Sequence, residues 1–285
     1  MFSTKLKTIK DCLNISKWGN DYRSKKVLIY VDLLNHLGFK RKYLRNKIAA
    51  SLEKEASNGE IIIDLKIDST INFPAKLRLH DYCDYQGVGE CLGGMYSVNA
   101  GKIKYIIDAG GNLGFFSISM MKRSSVKEAI VIEPNPYNLE LLNYNLQKFK
   151  NITVLPIAIS NVKGKFVFQL EGGTNSGSLN LEDSKILKNS VNVTCEKLSA
   201  LIPSHWNIKE TLLKIDIEGA EYDVLPEIFD NQYFPPIILG EIHDYLNKGG
   251  EQLVELLKKH RYKVHVTGKG NSGIVCRQFS ALREI

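Results

Sequence analysis

The segment that decides the fold covers residues 105–116, where a short apolar run leads into three glycines within five positions. Its sequence is Tyr105-Ile106-Ile107-Asp108-Ala109-Gly110-Gly111-Asn112-Leu113-Gly114-Phe115-Phe116. An apolar run, a glycine-rich stretch and a second apolar run are typical of a strand, a tight turn and a helix. Because glycine has no β-carbon, the backbone of such a turn can approach a ligand closely. We therefore expect a nucleotide-like ligand at this turn.

The spacing of the glycines indicates which ligand is disfavoured. A dinucleotide fingerprint that starts at Gly110 needs further glycines at positions 112 and 115. Those positions hold Asn112 and Phe115. A pyrophosphate site, and with it a nicotinamide-dependent oxidoreductase, is therefore disfavoured.

A second acidic residue follows at the end of the next apolar run. Glu133 lies 25 positions after Asp108 and precedes Pro134. A carboxylate at this place can accept hydrogen bonds from both hydroxyls of a ribose. The turn at 108–114 offers acceptors for an ammonium and donors for a carboxylate, which S-adenosylmethionine carries at its amino-acid end. In the alternative interpretation, Asp108 only caps a helix and Glu133 lies on the surface.

Outward from this segment, apolar runs alternate with helical patterns from about residue 101 onward. This alternation predicts a mainly parallel, doubly wound seven-stranded α/β sheet. We predict strands at 104–108, 128–133, 152–156, 211–217, 237–242, 262–266 and 273–277, and helices at 114–122, 136–148, 222–230 and 248–260. A hairpin strand at 163–168 and a loop at 171–178 interrupt the alternation. The loop is either a mobile flap over a site or a plain hairpin connection.

The N-terminal part has a different pattern. Residues 1–60 have helical periodicity, and strands are predicted at 61–65 and 75–79 with a turn at 72–74. We therefore divide the chain into an N-terminal helical and β-strand extension at 1–100 and a ligand-binding domain at 101–285. The extension is expected to select the acceptor.

A third polar segment follows the predicted strand at 211–217. Asp216 ends this strand, while Glu241 and His243 end the following one. Charges are costly inside a sheet covered on both faces, so they are expected at its carboxyl end. Asp216, Glu241 and His243 could thus line one pocket.

Two roles are open for this trio. His243 is the leading candidate for a general base, since imidazole has a pKa near neutrality. Asp216, Glu241 and His243 could instead bind a divalent cation such as magnesium. A third interpretation makes His243 a structural histidine at a strand end.

Composition limits the class of protein. With 285 residues, 44% hydrophobic and 24% charged, the chain is typical of a soluble globular protein rather than a disordered or fibrous one. It has no transmembrane segment and no secretory signal pattern, and its five cysteines suggest neither disulfides nor zinc. A cytoplasmic location is expected, and nothing in the sequence determines the oligomeric state.

Charge is concentrated near the N-terminus. The net charge is +7, and residues 1–55 contain thirteen Lys and Arg side chains against five Asp and Glu. The basic segment 40–47 could contact an anionic partner, such as nucleic acid, a membrane surface or an anionic substrate, or could be a solvated helix face.

Together, the segments 107–114, 132–136 and 213–221 resemble the FkbM-type family of S-adenosylmethionine-dependent methyltransferases. Weaker likeness at 77–79, 95–96 and 175–178 extends the resemblance to about residues 75–245. It implies a Rossmann-like class I methyltransferase fold and S-adenosylmethionine as cofactor.

The resemblance also implies roles for individual residues. Asp108, Gly110 and Gly114 would hold the methionine end of the cofactor, Glu133 the ribose, and Ala158 and Ile159 would flank the adenine. Asp216 matches the acidic position beside the methionine end and the acceptor. Gly111, Asn112 and Pro134, in the same segments, complete the expected cofactor-binding set.

The resemblance implies an O-methyltransferase that acts on a small-molecule or saccharide acceptor. From the residues themselves, His243, Asp216 and Glu241 are the predicted catalytic residues. The basic N-terminal segment leaves an RNA methyltransferase as an alternative, although no RNA-recognition signature supports it. A non-catalytic binding module is disfavoured, because the acidic and glycine positions are intact.

Overall fold

The computed structural model describes residues 15–36, 42–69, 71–93, 96, 98–171, 176–180, 190–243, 250–267 and 276–284. The chain divides into two compact units, residues 1–95 and 96–285. None of the described helices is both long enough and apolar enough to cross a membrane.

The N-terminal unit combines helices with a hairpin. It contains helices α1 (Tyr22–His36), α2 (Lys42–Glu53) and α3 (Tyr82–Gly93) and the antiparallel strands β1 (Glu60–Lys66) and β2 (Asn72–Arg78). The sequence did not predict α3. In the basic segment 40–47, residues 40 and 41 lie outside the described part, and the others form the start of α2.

The predicted turn at 72–74 is wrong, because these residues belong to β2. Every second residue of this strand is buried in the core from its second position onward, namely Phe73, Ala75 and Leu77. Pro74 pairs with Asp64 in a sheet of only two strands, where a missing backbone donor can face away from the ladder. The turn lies earlier, where the amide of Ile67 donates to the carbonyl of Ile71.

The C-terminal unit has the expected alternation of strands and helices. Its strands are β3 (Tyr105–Ala109), β4 (Glu128–Ile132), β5 (Ile152–Leu155), β6 (Ala158–Ile159), β7 (Gly164–Glu171), β8 (Ser176–Asn180), β9 (Ser190–Glu196), β10 (Thr211–Ile215), β11 (Ile237–His243), β12 (Tyr262–Thr267) and β13 (Cys276–Arg283). Its helices are α4 (Phe115–Arg123), α5 (Pro136–Leu146), α6 (Glu221–Asp230) and α7 (Gly250–Lys259).

Seven strands form one mainly parallel sheet in the order β12-β13-β11-β10-β3-β4-β5. The strands β11, β10, β3, β4 and β5 pair in parallel, and β13 pairs antiparallel with both of its neighbours. The predicted α/β class and the seven-stranded sheet are confirmed. The last strand lies later than predicted, at 276–283 rather than 273–277, and residues 273–275 lie outside the described part.

A second sheet occupies the interruption between β5 and β10. Its order is β6-β9-β7-β8, with its own apolar cluster of Ala158, Phe168, Val193 and Cys195. The prediction of a loop at 171–178 is wrong for Glu171 and for 176–178, because these residues pair as β7 and β8. Residues 172–175 lie outside the described part.

The order of the main sheet creates a crevice beside β3. From β3 the chain builds outward through β4 and β5 on one side, while β10 and β11 lie on the other. Ligands of open α/β sheets bind where the strand order reverses in this way, outside the carboxyl ends of the strands. A ligand site is therefore expected at the carboxyl ends of β3 and β10.

Candidate functional site

The glycine turn after β3 is held against the neighbouring strands. The amides of Gly110 and Gly111 both donate to the carbonyl of Ile132, at 3.0 and 2.9 Å. Gly110 has φ +80°, and a β-carbon there would lie 1.8 Å from the carbonyl oxygen of Asp216. The turn thus requires glycine, both for its left-handed backbone and for its close approach to the loop after β10.

Asp108 lies at the base of this turn and is fully buried. Its Oδ2 accepts a 2.7 Å hydrogen bond from the hydroxyl of Ser117 in α4, and its Oδ1 has no hydrogen-bond partner among the described residues. Burial raises the pKa of the Asp108 carboxyl, while Lys214 and Ser117 act in the opposite direction. Asp108 thus ties β3 to α4 and keeps one acceptor oxygen at the turn.

Lys214 is a site residue to which the sequence analysis gave no role. Although it lies within β10, its ammonium donates to the carbonyl of Gly110 at 2.6 Å and lies 3.6 Å from Asp108 and 3.5 Å from Asp216. The side chain is buried. A lysine inside an apolar strand was the available signal, since a buried charge needs partners.

Glu133 directly follows β4 and is 5% exposed, so it does not lie on the surface. Its carboxylate accepts hydrogen bonds from the amide of Asn112 at 2.8 Å, the amide of Asn135 at 2.9 Å and the side chain of Asn138 at 3.3 Å. Burial raises the pKa of the Glu133 carboxyl. A carboxylate has about four acceptor positions, so roughly one remains for a further donor such as a ribose hydroxyl.

The other expected cofactor residues lie in the same unit. Gly114 precedes α4 with φ +85°, and Pro134 follows Glu133 and is half-buried. Ala158 and Ile159 form β6, paired in parallel with β9, and both are buried. The side chain of Ala158 packs in the apolar cluster of the second sheet, and that of Ile159 packs in the main core.

The structure brings Asp216, Glu241 and His243 together at the ends of β10 and β11. One oxygen of each carboxylate and one ring nitrogen of His243 all lie within 4.8 Å of one another. The Nε2 atom of His243 is 3.9 Å from Asp216 Oδ1 and 3.7 Å from Glu241 Oε2. His243 itself is buried, at 4% exposure. We call these three residues the polar trio.

Two further carboxylates that the sequence analysis left without a role face His243. Glu221, fully buried at the start of α6, lies 3.2 Å from Nδ1 of His243 and accepts 2.8 Å bonds from the amides of Ile217 and Gly219. Glu218 Oε2 lies 3.4 Å from Nε2. The strand β10 ends at Ile215, two residues earlier than predicted, and Glu218 takes a left-handed φ of +55°. This turn, rather than strand alternation, brings Glu218 to the histidine.

Tyr96 adds a contact that no sequence pattern revealed. Its hydroxyl donates to Asp216 Oδ2 at 3.2 Å, and its ring lies edge-on to Phe116 of α4. Asp216 therefore lies beside Tyr96, Lys214 and His243. Its own amide donates to the carbonyl of Ala109 at 3.1 Å, which joins the trio to the glycine turn.

This arrangement fits a cofactor with a charged amino-acid end and a ribose. The glycines let the turn pack closely against β4 and the loop after β10. Asp108 Oδ1, 3.6 Å from the Lys214 ammonium, has no hydrogen-bond partner among the described residues. Glu133 lies at the end of the adjacent strand, as a ribose partner should.

A comparison with known families gives one match. The family model described as the methyltransferase FkbM domain matches residues 108–264 of the chain, which is more than half of its length. The matched region includes the glycine turn, Glu133 and the polar trio.

Individual relatives are more distant. "Methyltransferase 1" of Beauveria bassiana (strain ARSEF 2860) is 27% identical over 150 residues, which cover 45% of this chain and 60% of that protein. The chain thus matches less than two thirds of this curated relative's length.

Two solved structures illustrate the similarity at the level of the fold. The methyltransferase FkbM of Methylobacillus flagellatus KT has a TM-score of 0.44 and 11% identity, covering 97% of this chain and 60% of that one. M. jannaschii TYW2, solved in complex with AdoMet, has a TM-score of 0.43 and 15% identity, covering 80% of this chain and 89% of that one.

Proposed function

The chain belongs to the FkbM methyltransferase family, and from this membership we propose that it is an S-adenosylmethionine-dependent O-methyltransferase. The proposed acceptor is a hydroxyl group of a sugar in a glycan, a glycolipid or a natural product. The proposed catalytic residues are Asp216, Glu241 and His243.

One observation carries the proposal. The polar trio directly adjoins the glycine turn, since the amide of Asp216 bonds to the carbonyl that precedes Gly110 and the Asp216 carbonyl packs against Gly110. A methyl donor at the turn and an acceptor at the trio would thus be neighbours. Alignment of the two reactants is the main requirement of such a transfer.

The cofactor would be held by the two segments that follow β3 and β4. Asp108, Gly110, Gly111, Asn112 and Gly114 would contact its methionine end, and Glu133 and Pro134 its ribose. Ala158 and Ile159 would lie at its adenine. S-adenosylmethionine supplies a methyl group on a sulfonium sulfur, which is already a strong electrophile.

The protein's own contribution concerns the acceptor. An alcohol has a pKa far above neutrality, so its proton must leave as the oxygen bonds to the methyl carbon. His243 with Glu221 forms an imidazole–carboxylate pair beside Asp216 and Glu241. This group can take up the proton directly through His243, or it can bind a divalent cation that acidifies the hydroxyl.

Titration calorimetry with S-adenosylhomocysteine tests the cofactor site. We expect the purified protein to bind it and not NAD, and Glu133→Ala to lose the binding. Glu133→Gln keeps the shape of the side chain and serves as a control for loss of folding in Glu133→Ala. A folded protein that does not bind S-adenosylhomocysteine would contradict the proposed cofactor.

Transfer of labelled methyl groups tests the acceptor class. We expect incorporation into saccharides and loss of transfer in His243→Ala, with S-adenosylhomocysteine binding retained. Incorporation into RNA that falls steeply with added salt would instead establish the RNA alternative. Unchanged turnover in His243→Ala would remove His243 from the mechanism.

A further inference from the structure

We infer that Asp216, Glu241 and His243 form a binding site for one divalent cation, and that Glu221 orients His243 for it. The binding itself is independent of the acceptor, whereas the use of the ion in methyl transfer rests on the proposed function. Four observations on geometry, orientation, charge and ligand type support this site.

The first observation is the spacing of the candidate ligand atoms. Ligand atoms bound to one ion at about 2.1 Å lie about 3.0–3.6 Å from one another at tetrahedral or octahedral angles. Nε2 of His243 lies 3.7 Å from Glu241 and 3.9 Å from Asp216, and all three ligand atoms lie within 4.8 Å. Small side-chain rotations would complete the coordination.

The second observation is the orientation of the imidazole. Metal-binding histidines usually donate their other ring N–H to a carboxylate or a carbonyl, which fixes the tautomer. Glu221 lies 3.2 Å from Nδ1 and is itself held by the amides of Ile217 and Gly219. In the cation-bound form, Nδ1 would carry the proton and donate a hydrogen bond to Glu221. The lone pair of Nε2 then faces Asp216 and Glu241.

The third observation is the balance of charge. Asp216, Glu218 and Glu241 surround Nε2 at 3.4–3.9 Å, and the buried Glu221 faces the other ring nitrogen. The Lys214 ammonium, 3.5 Å from Asp216, supplies one positive charge to this group. Like charges this close repel strongly in a poorly solvated site. A divalent cation would offset the repulsion.

The fourth observation is the type of ligand, which narrows the choice of ion. Two carboxylates favour hard ions such as Mg²⁺ and Mn²⁺, while imidazole favours softer transition metals. A mixed set suits Mn²⁺ better than Mg²⁺, so Mn²⁺ is the probe of choice.

The ion would act on the acceptor hydroxyl. A cation held by Asp216, Glu241 and His243 would lower the pKa of a hydroxyl bound to it, and the carboxylate of Glu218 would take up the hydroxyl proton and pass it to solvent. The oxygen forms the new bond to the methyl carbon as the carbon–sulfur bond breaks and its electron pair remains on sulfur. In this scheme His243 is a ligand rather than the base.

The test is titration of the full-length, chelator-treated protein with Mn²⁺. The concentration of free ion is measured at each step by electron paramagnetic resonance. We expect one ion per chain, with affinity at least tenfold weaker in His243→Ala and in Glu241→Gln. Glu221→Gln should weaken binding about tenfold, as expected for an orienting partner. The matched control is His205→Ala, which removes an exposed histidine paired with Glu128 at 3.1 Å and should leave binding unchanged.

Binding of S-adenosylhomocysteine, measured on the same preparations, shows that each variant is folded. Absence of Mn²⁺ binding in a protein that binds S-adenosylhomocysteine would overturn the cation site, as would equal binding by wild type, His243→Ala and Glu241→Gln. Site-specific Mn²⁺ binding without methylation of any saccharide would support the cation site and contradict only the proposed function.

Discussion

At the scale of the residue, the site depends on a few positions whose surroundings constrain the residue closely. Gly110 is the clearest of them, since its backbone is left-handed and the carbonyl of Asp216 occupies the space of a β-carbon. Lys214 is another, because its buried ammonium lies between Asp108 and Asp216.

Gly110→Ala is expected to destabilise the protein by about 1–3 kcal/mol or more, from backbone strain and from displacement of the loop after β10. It should also abolish binding of S-adenosylhomocysteine. Chemical denaturation and calorimetry measure both effects. The matched control is Gly89→Ala in α3, where a β-carbon meets nothing within 4 Å and a gain of about 0.5–1 kcal/mol is expected. Equal stabilities of the two variants would contradict the argument.

Lys214→Met is expected to cost about 3–5 kcal/mol of unfolding free energy, because it leaves the buried Asp108 carboxylate without its neighbouring cation. Urea denaturation at neutral pH measures the loss. Lys209→Met, which removes an exposed ammonium before β10, should change stability by less than about 0.5 kcal/mol. A loss below 1 kcal/mol in Lys214→Met would show that this ion pair does not stabilise the fold.

At the scale of the element, the second sheet has an apolar layer of its own. Phe168 of β7 and Val193 and Cys195 of β9 pack on Ala158 of β6. Cys195 is fully buried, and burial together with the Glu196 carboxylate raises the pKa of its thiol to about 11.

We therefore expect Cys195 to resist thiol reagents at pH 8 while the second sheet is folded, since the thiolate is the reactive form. Mass spectrometry of alkylated peptides should show Cys91, which is partly exposed, labelled well before Cys195. Both should react at similar rates in denaturant. Rapid native labelling of Cys195 would show that β9 opens readily.

At the scale of the whole molecule, the reversal of strand order beside β3 concentrates charge at one edge of the sheet. Asp108 and Glu133 are buried there, and burial raises the pKa of both carboxyls. A raised pKa in the folded state means that the folded protein binds more protons than the unfolded chain between the two pKa values. The raised pKa values therefore stabilise the folded protein at low pH. This stabilisation is lost as pH rises through the folded pKa.

Asp108→Asn tests this pH dependence. The unfolding free energy of the variant minus that of the wild type should increase as pH rises from about 4 to the folded pKa of Asp108, and should be constant above it. Denaturation series at several pH values measure the difference. Asp230→Asn, at the exposed end of α6, is the matched control. A difference that does not vary with pH would contradict the assignment to Asp108.

Much of the fold follows from local pattern. The alternation of apolar strands with helices from residue 101 predicts the seven-stranded sheet, because periodicity and glycine turns are encoded within a few residues. The turn in the N-terminal hairpin was misplaced, since Pro74 suggests a turn but lies in a two-stranded sheet that tolerates it. The second sheet was largely missed, because β9 pairs with β6 and β7 rather than with the strand next to it in the chain, and such pairing leaves no local pattern.

For the candidate site, the sequence by itself determined the glycine turn, the acidic residue after β4 and the expectation that Asp216, Glu241 and His243 converge. These follow from the rule that parallel strands place their carboxyl ends at one edge. Only the tertiary structure decided the parts played by Lys214, Tyr96 and Glu221. Their contacts with Gly110, Asp216 and His243, at 2.6 to 3.2 Å, depend on side-chain direction and on the left-handed turn at Glu218. Such contacts are not encoded in spacing along the chain.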